Sequence, residues 1–499
     1  MRLVKGKEMK EIDRLSIEKY GKSSLELMET AGTSVYEEIM NQFHDDSTKI
    51  TVICGKGNNG GDGYVIARKL IEKNTYTYVY STTDPNLLEG DVRYNYERLI
   101  DLGVEVKDLY QESFIKDIVE SEIIVDAILG TGISRDVDAD LEKIIHAVNK
   151  AGKKVFSVDI PSGLGSDDGK VYGAAIKAFK TITFGLPKIG LILYPGADYV
   201  GQIVIKDIGL KKKAMDEMHI RTFLINHAQV QKSIPKRMKN THKGTYGKVL
   251  IVAGSRGMAG AAVLSAKAAL RSGAGLVTIG VGESINDILQ VSVPEAMTLP
   301  FKEIEEKIND YSSIAIGPGL GKNQGLLYWI DNIVGKYDGP IILDADALNI
   351  IGKNAEAIFS KNNKIVITPH PGEMAKLTGL SIKEINENII ETGRFYSQKW
   401  RITVIIKGAR SVIAFPDGTV YINITGNPGM ATGGSGDVLT GILVSLCGQI
   451  QEMDKAVISG VYLHGRSGDI MAEKVGEYGL IAGDIACGIA FALKELHDI

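Results

Sequence analysis

Apolar positions in the first part of the chain recur at helical spacing: Met9, Ile12, Leu15 and Ile17, then Leu25, Leu27 and Met28. Beyond them, short β-branched runs alternate with amphipathic stretches. Segments 49–57, 76–80, 122–130, 154–163 and 181–185 read as strands, and 62–73, 90–102, 113–120 and 139–151 as helices. Strands alternating with helices of this length predict a mostly parallel sheet covered on both faces, with ligands at the carboxyl ends of the strands. From about 211 to 243 the pattern degrades into charged, Lys-rich sequence that reads as a solvated linker, with the domain connection near 211–225. The alternation then resumes, with strands expected at 247–254, 276–281, 313–319, 340–348, 364–372 and 402–409. An antiparallel pair is expected at 411–415 and 419–425, joined through Pro416-Asp417-Gly418, followed by helices near 435–447, 455–473 and 483–496.

Composition narrows this picture. At 499 residues the chain is too long for one ordinary core, so two α/β domains are expected, 1–215 and 225–499. It is 44% hydrophobic and 24% charged, close to folded soluble proteins. Its 57 glycines against 13 prolines point to tight turns and close backbone approaches rather than a disordered Pro-rich segment. A net charge of −4 without a basic face argues against nucleic acid as a partner. No apolar run reaches the length of about 20 residues needed to span a membrane, and the N-terminus lacks the apolar region of a signal peptide. Cys54, Cys447 and Cys487 form neither a zinc spacing nor a disulfide framework; they read as small buried hydrophobes in a reducing, cytoplasmic compartment.

Candidate chemistry is densest in the run Asn427-Pro-Gly-Met-Ala-Thr-Gly-Gly-Ser-Gly-Asp437, which leads directly into an apolar helix. Glycines let backbone N–H groups turn inward, and with the helix N-terminus they form an anion site suited to a transferring phosphate. Asp437 stands where a carboxylate could take the proton of a substrate hydroxyl. This run resembles the anion-hole motif of the ribokinase-like superfamily and, more narrowly, the ADP/ATP-dependent NAD(P)H-hydrate dehydratases. Segments 257–280, 317–321, 344–349, 368–379 and 407–409 resemble the same family, so the likeness covers about 245–490. It implies that Ala261, Gly319, His370 and Asp437 contact the hydrated nucleotide, with Asp437 catalytic. It implies further that Lys407, Gly408, Ala409, Arg410, Ser411 and Gly436 hold an adenine nucleotide, ADP with Mg²⁺. Asp344 and Asp346, at a strand end, are read either as aids to Mg²⁺ or as caps of the next helix; His464 reads as packing or surface.

In the first half a strand runs into Gly55-Lys-Gly-Asn-Asn-Gly-Gly-Asp-Gly63, followed by a helix beginning near Tyr64. The loop is neither a Walker motif nor a Rossmann fingerprint, yet a glycine loop before a helix favours phosphate. Asp126 ends one strand before Gly130-Thr-Gly-Ile-Ser-Arg-Asp136, and Asp159 ends another before Ile-Pro-Ser-Gly163. This segment, about 1–210, resembles the NAD(P)H-hydrate epimerases. The resemblance implies nucleotide binding by Asn58, Asn59, Gly60, Gly61 and Asp62. It implies the same for Gly130, Thr131, Gly132, Ile133, Ser134, Arg135 and Asp136. Asp159 is implied as an acid/base group, and Asn59, Asp126 and Ser162 as ligands of K⁺. Lys188 reads either as a further catalytic group at the ring end or as an exposed structural lysine.

Together these readings give an N-terminal Rossmann-like three-layer sandwich and a C-terminal ribokinase-like domain. The implied activity is repair of hydrated NADH and NADPH: epimerisation of the R and S hydrates, then ADP-driven dehydration of the S form to NAD(P)H, AMP and phosphate. The expected partners are these small molecules, with no nucleic acid or membrane, in a homo-oligomer. The alternative is a vitamin-precursor or sugar kinase of the same superfamily fused to a nucleotide-binding scaffold module. The two differ in product: a kinase releases a phosphorylated metabolite, the dehydratase inorganic phosphate.

Overall fold

The computed structural model describes residues 1–43, 48–321, 323 and 325–497. The chain divides into two compact units, Arg2–Ile220 and Arg221–Ile499, the latter including Met1.

The first unit is built on seven strands: β1 (Ile50–Cys54), β2 (Thr77–Ser81), β3 (Val106–Asp108), β4 (Ile123–Ala127), β5 (Lys154–Val158), β6 (Lys180–Phe184) and β7 (Gln202–Lys206). They lie in the order β3-β2-β1-β4-β5-β6-β7, and every pairing is parallel. Every residue of β1, β4 and β6 is buried, as a parallel sheet covered on both faces requires. The order reverses between β1 and β4, which opens a crevice at their carboxyl ends. The edge strands β3 and β7 escape the sequence pattern because neither has a fully buried residue, and β3 is only three residues long.

One boundary moved for a physical reason. The helix expected near Tyr64 begins at Asn58, so the glycine run is its first turn rather than a loop before it (Asn58–Glu72). A Cβ at Gly60 would stand 1.8 Å from the Gly55 carbonyl oxygen, which is why glycine starts this helix.

The second unit carries ten strands. After β8 (Thr222–Leu224) come β9 (Lys248–Val252), β10 (Leu276–Val281), β11 (Met297–Pro300), β12 (Ser313–Ile316), β13 (Ile341–Leu343), β14 (Ile365–Ile367), β15 (Thr403–Ile406), β16 (Val412–Ala414) and β17 (Val420–Ile422). Their order is β11-β10-β9-β12-β13-β14-β15-β16-β17-β8. From β11 to β15 the pairing is parallel, and β15-β16-β17 form the expected antiparallel turn-back. The strand expected over 340–348 stops at Leu343, and a helix starts at Asp346 (Asp346–Ile351).

The Lys-rich stretch is not a solvated linker through Ser233. It forms the helix Lys212–Glu217, the edge strand β8 and the helix His227–Ser233. Ala214 and Ile220 are buried in the first unit's core, Ile225 and Val230 in the second's. Strand β8 pairs with β17 and stacks Phe223 on Tyr421, satisfying an edge that would otherwise be open. Cys54 and Cys447 are buried as expected, but Cys487 is exposed, on the outer side of the helix Ala482–His497.

The helix Ser435–Gln449 is buried on every residue from Val438 to Cys447, most of them apolar. It packs against the helix Ala259–Arg271 so closely that a Cβ at Gly441 would lie 2.1 Å from the Ser265 carbonyl oxygen. Gly441→Ala is therefore expected to force these two helices apart and destabilise the second unit by about 1–3 kcal/mol, the usual cost of overpacking. Chemical unfolding of the full chain, read on a transition assigned to this unit, checks it.

Candidate active sites

At the β1/β4 crevice of the first unit lies a cavity of about 590 Å³. Its wall includes Asn58, Asn59 and Asp62 from the start of the Asn58–Glu72 helix, and Gly130, Thr131 and Gly132 after β4. Asp159 and Lys188 complete the wall from beyond β5 and β6. The free N–H groups of the helix start thus face a space where an anion can sit. Asn59 ties the two loops together by donating from Nδ2 to the Leu129 carbonyl at 3.0 Å. Gly60 and Gly61 do not line the cavity; they let the helix start pack against Gly55 and Met28. Ile133, Ser134, Arg135 and Asp136 are not on the cavity wall either, and the last three are exposed.

Two carboxylates at strand ends are held differently. Asp126, fully buried, accepts from Ser157 Oγ (2.8 Å), Ser162 N (2.9 Å) and Ser162 Oγ (2.5 Å). Burial pushes its carboxyl up, and only neutral donors from Ser162, Ser157 and Ile128 oppose that. Asp159 sits in the left-handed region (φ 63°), a conformation a non-glycine residue holds only when its surroundings enforce it. Its carboxylate accepts from Thr183 Oγ1 (3.0 Å), Phe184 N (3.3 Å) and the Lys188 ammonium, with which it forms an ion pair. Lys188 is 1% exposed, which removes the reading of an exposed lysine. Its other N–H groups reach Thr183 Oγ1 (3.1 Å) and the Phe184 carbonyl (3.3 Å).

Asp13 was not anticipated. It stands on the cavity wall with Met9 and Ile17, four residues apart on the N-terminal helical segment. The legible signal was an acid on the apolar stripe of that segment. Burial chiefly, with Asp159 adding and Lys188 opposing, pushes its carboxyl up to about 6. Asp62 is raised well above the usual carboxylate range by burial and by the neighbouring Asp159 and Asp13.

In the second unit, Asp437 is the third residue of the Ser435–Gln449 helix, behind the glycine loop. Next to it, Asp344 at the end of β13 pairs with Lys407 at the end of β15 at 2.7 Å, and Thr440 donates to its other oxygen at 2.7 Å. Burial alone would raise the Asp344 carboxyl; Lys407, Thr440 and Thr368 override it and hold it below the usual range. Burial likewise works against the Lys407 ammonium, but Asp344 and Glu373 outweigh it and keep the amine above its ordinary value. A Cβ at Gly436 would lie 3.4 Å from Lys407 Nζ, so the ammonium lies directly below the helix start. The carboxyl of Asp437 is pushed up to about 6, by burial first and then by Asp344, with Lys407 opposing.

The other expected residues gather around this centre. Gly319 and Ala261 are neighbours, a Cβ at Gly319 falling 2.9 Å from that of Ala261. His370 caps the helix Pro371–Thr378, its Nδ1 accepting from Gly372 N (3.0 Å) and Glu373 N (3.4 Å), and its ring is more than half exposed. Gly408, Ala409, Arg410 and Ser411 form the turn from β15 to β16, with Arg410 donating to the Ile424 carbonyl at 3.0 Å. Asp346 starts its helix and also accepts from Gly321 N at 2.9 Å, tying down the loop that carries Gly319.

Two positioning residues were missed, both on the helix Met453–Val475. His464 is packed inside and donates from Nε2 to the Ser435 carbonyl at 2.9 Å; burial lowers its pKa to about 4, so the ring is neutral. Asp469 accepts from Gly426 N and Asn427 Nδ2, both at 3.0 Å. The glycine loop is therefore anchored at both ends to one helix. No sequence motif marks these residues, because the pairing exists only after the helix has docked.

With the geometry in place, comparisons with known proteins bear on both units. The family described as NAD(P)H-hydrate dehydratase matches residues 249–490, and that described as YjeF-related protein N-terminus matches 24–190. A bifunctional NAD(P)H-hydrate repair enzyme of Moorella thermoacetica is 38% identical over 100% of this chain and 98% of its own. One from Escherichia coli is 33% identical over 95% of this chain and 90% of its own. Among solved structures, the ADP/ATP-dependent NAD(P)H-hydrate dehydratase of Bacillus subtilis, co-crystallised with ATP and Mg²⁺, superimposes with a TM-score of 0.50. It is 32% identical and covers 55% of this chain and 98% of its own.

Asp344 is fully buried beneath the partly exposed Lys407, so removing the lysine leaves a buried carboxylate uncompensated. Lys407→Met is expected to destabilise the second unit by about 3–5 kcal/mol, and adding Asp344→Asn to relieve most of that loss. A denaturant-unfolding double-mutant cycle measures both.

Proposed function

The chain belongs to the family of bifunctional NAD(P)H-hydrate repair enzymes, and from that premise we propose how each unit carries out its part. The first unit epimerises the R and S hydrates of NADH and NADPH; the second dehydrates the S form, and ADP is the proposed nucleotide. The observation that carries the second assignment is a half-buried, protonatable Asp437 at a glycine-lined helix N-terminus, directly beside the Lys407–Asp344 pair.

Hydration leaves a hydroxyl on a saturated ring carbon, and hydroxide is a poor leaving group. Ionised Asp437 takes the proton of that hydroxyl as its oxygen attacks the terminal phosphorus, and the helix N–H groups stabilise charge on the transferring phosphate. The phosphorylated ring then loses a proton from the adjacent carbon while the C–O bond breaks. The double bond returns, and inorganic phosphate and AMP are released. In this reading Gly319, Ala261 and His370 contact the hydrate, and Lys407 to Ser411 with Gly436 hold the nucleotide. Mg²⁺ enters with the nucleotide, whose phosphate oxygens suit it as ligands.

In the first unit, we propose that the Asn58–Asp62 helix start and Gly130–Gly132 hold the nucleotide, and that Asp159 and Lys188 face the reacting ring as the acid/base pair. A K⁺ ion fits the donor set of Asn59, Asp126 and Ser162, because Asp126 is a fully buried carboxylate opposed only by neutral donors. When bound, such an ion supplies the missing positive charge and fixes the loops that Asn59 and Ser162 join. No described helix is long and apolar enough to cross a membrane. A cytoplasmic homo-oligomer is proposed; exposed Tyr478, Ile481 and Phe491 offer apolar surface for subunit contact.

Asp437→Asn is expected to abolish nucleotide-dependent recovery of reduced-nicotinamide absorbance while nucleotide binding persists; an active variant overturns the mechanism. The catalytic form of Asp437 is the carboxylate, whose population falls as pH drops through its value of about 6. Dehydratase kcat/KM should therefore be flat above that pH and decline below it. Replacing K⁺ with a large organic cation should slow epimer exchange in the wild type, and Asp126→Asn should remove that dependence.

A further inference from the structure

The match to the first family begins at residue 24, yet the preceding residues complete the cavity of that unit. Met9 and Ile17 close it with apolar side chains, and between them Asp13 presents a carboxylate. A carboxylate on an apolar stripe is costly unless something uses it. The Lys188 ammonium directs its N–H groups to Asp159, Thr183 and Phe184, and among the described residues none donates a hydrogen bond to the Asp13 carboxyl. Lys10, Lys56, Asp62, Asp91 and Asp138 are further charged groups on the wall. Asp13, Asp62 and Asp159 compete for the buried Lys188 ammonium, which disfavours ionising all three at once.

We propose that Asp13 is a second proton-transfer group of epimerisation, working with Asp159 on the hydrated ring; this rests on the epimerase reading of the first unit. The reacting carbon carries the hydroxyl and adjoins the ring nitrogen. Protonated Asp13 gives its proton to the hydroxyl oxygen, the C–O bond breaks with its electron pair leaving in water, and the nitrogen lone pair forms a C=N bond. Water then adds to the opposite face of that carbon and gives a proton to ionised Asp159. One proton enters and one leaves, and exchange with water carries the proton from Asp159 back to Asp13 before the next turnover. In the opposite direction the two carboxyls exchange roles. The raised pKa of about 6 suits this task, because a general acid works best near the operating pH.

The test uses the full chain, with epimer exchange followed by NMR and NADP⁺ as the binding probe of the cavity. Asp13→Asn is expected to lower kcat for exchange by at least about 100-fold, the usual worth of a general acid. NADP⁺ affinity and dehydratase rate should be unchanged, and Asp13→Glu should recover a large part of the rate. A wild-type kcat in Asp13→Asn overturns the proposal, as does a loss shared with NADP⁺ binding or left unrelieved by glutamate. A wild-type chain without epimer exchange overturns the epimerase reading itself, and the proposal with it.

Discussion

A carboxylate removed from water needs a positive partner, and in each site one lysine, Lys188 or Lys407, faces more acids than it can satisfy. In the first unit Lys188 pairs with Asp159, while Asp13 and Asp62 share the cavity. In the second, Lys407 pairs with Asp344, while Asp437 stands beside the pair. Of these left-over acids, Asp13 and Asp437 are each pushed up to about 6, by burial and by the paired neighbour. The ion pair holds the site together and the unpaired acid is left poised to move a proton.

The sheets make this arrangement possible. Parallel strands end at one edge, so Asp126 at the end of β4 and Asp159 after β5, and Asp344 and Lys407 after β13 and β15, are brought together from distant parts of the chain. The same edge receives the helix N-termini at Asn58 and Ser435. Glycine is required where these helices start or cross closely, as at Gly60 and Gly441, because a side chain there would collide with backbone. Acids and cations from different strands therefore meet the anion-binding N–H groups of the helix starts.

The α/β architecture, most strands and the antiparallel turn-back were legible because they are local: β-branched runs, amphipathic spacing and turn residues act over a few positions. The glycine loops and the acids at strand ends were legible for the same reason. Less visible were the edge strands β3, β7, β8 and β11, whose pairing depends on a neighbour already in place. The stretch after Lys211 looked like a linker because its lysines are exposed, yet the apolar Ala214, Ile220 and Val230 between them are buried in the two cores. Charge density concealed a sparse apolar pattern.

By itself the sequence determined which residue types stand at each strand end and helix start, and hence the two kinds of site. Tertiary structure decided their ionic state and their supports. Whether Lys188 was exposed or buried, whether Asp344 met a cation, and whether His464 was surface or clamp depended on which elements docked above them. Burial and the identity of the nearest charge are properties of packed surroundings, and those two quantities fix a pKa. Asp13 is the clearest instance: an ordinary acid on an N-terminal helix in the sequence, and a poised one once the cavity closes around it.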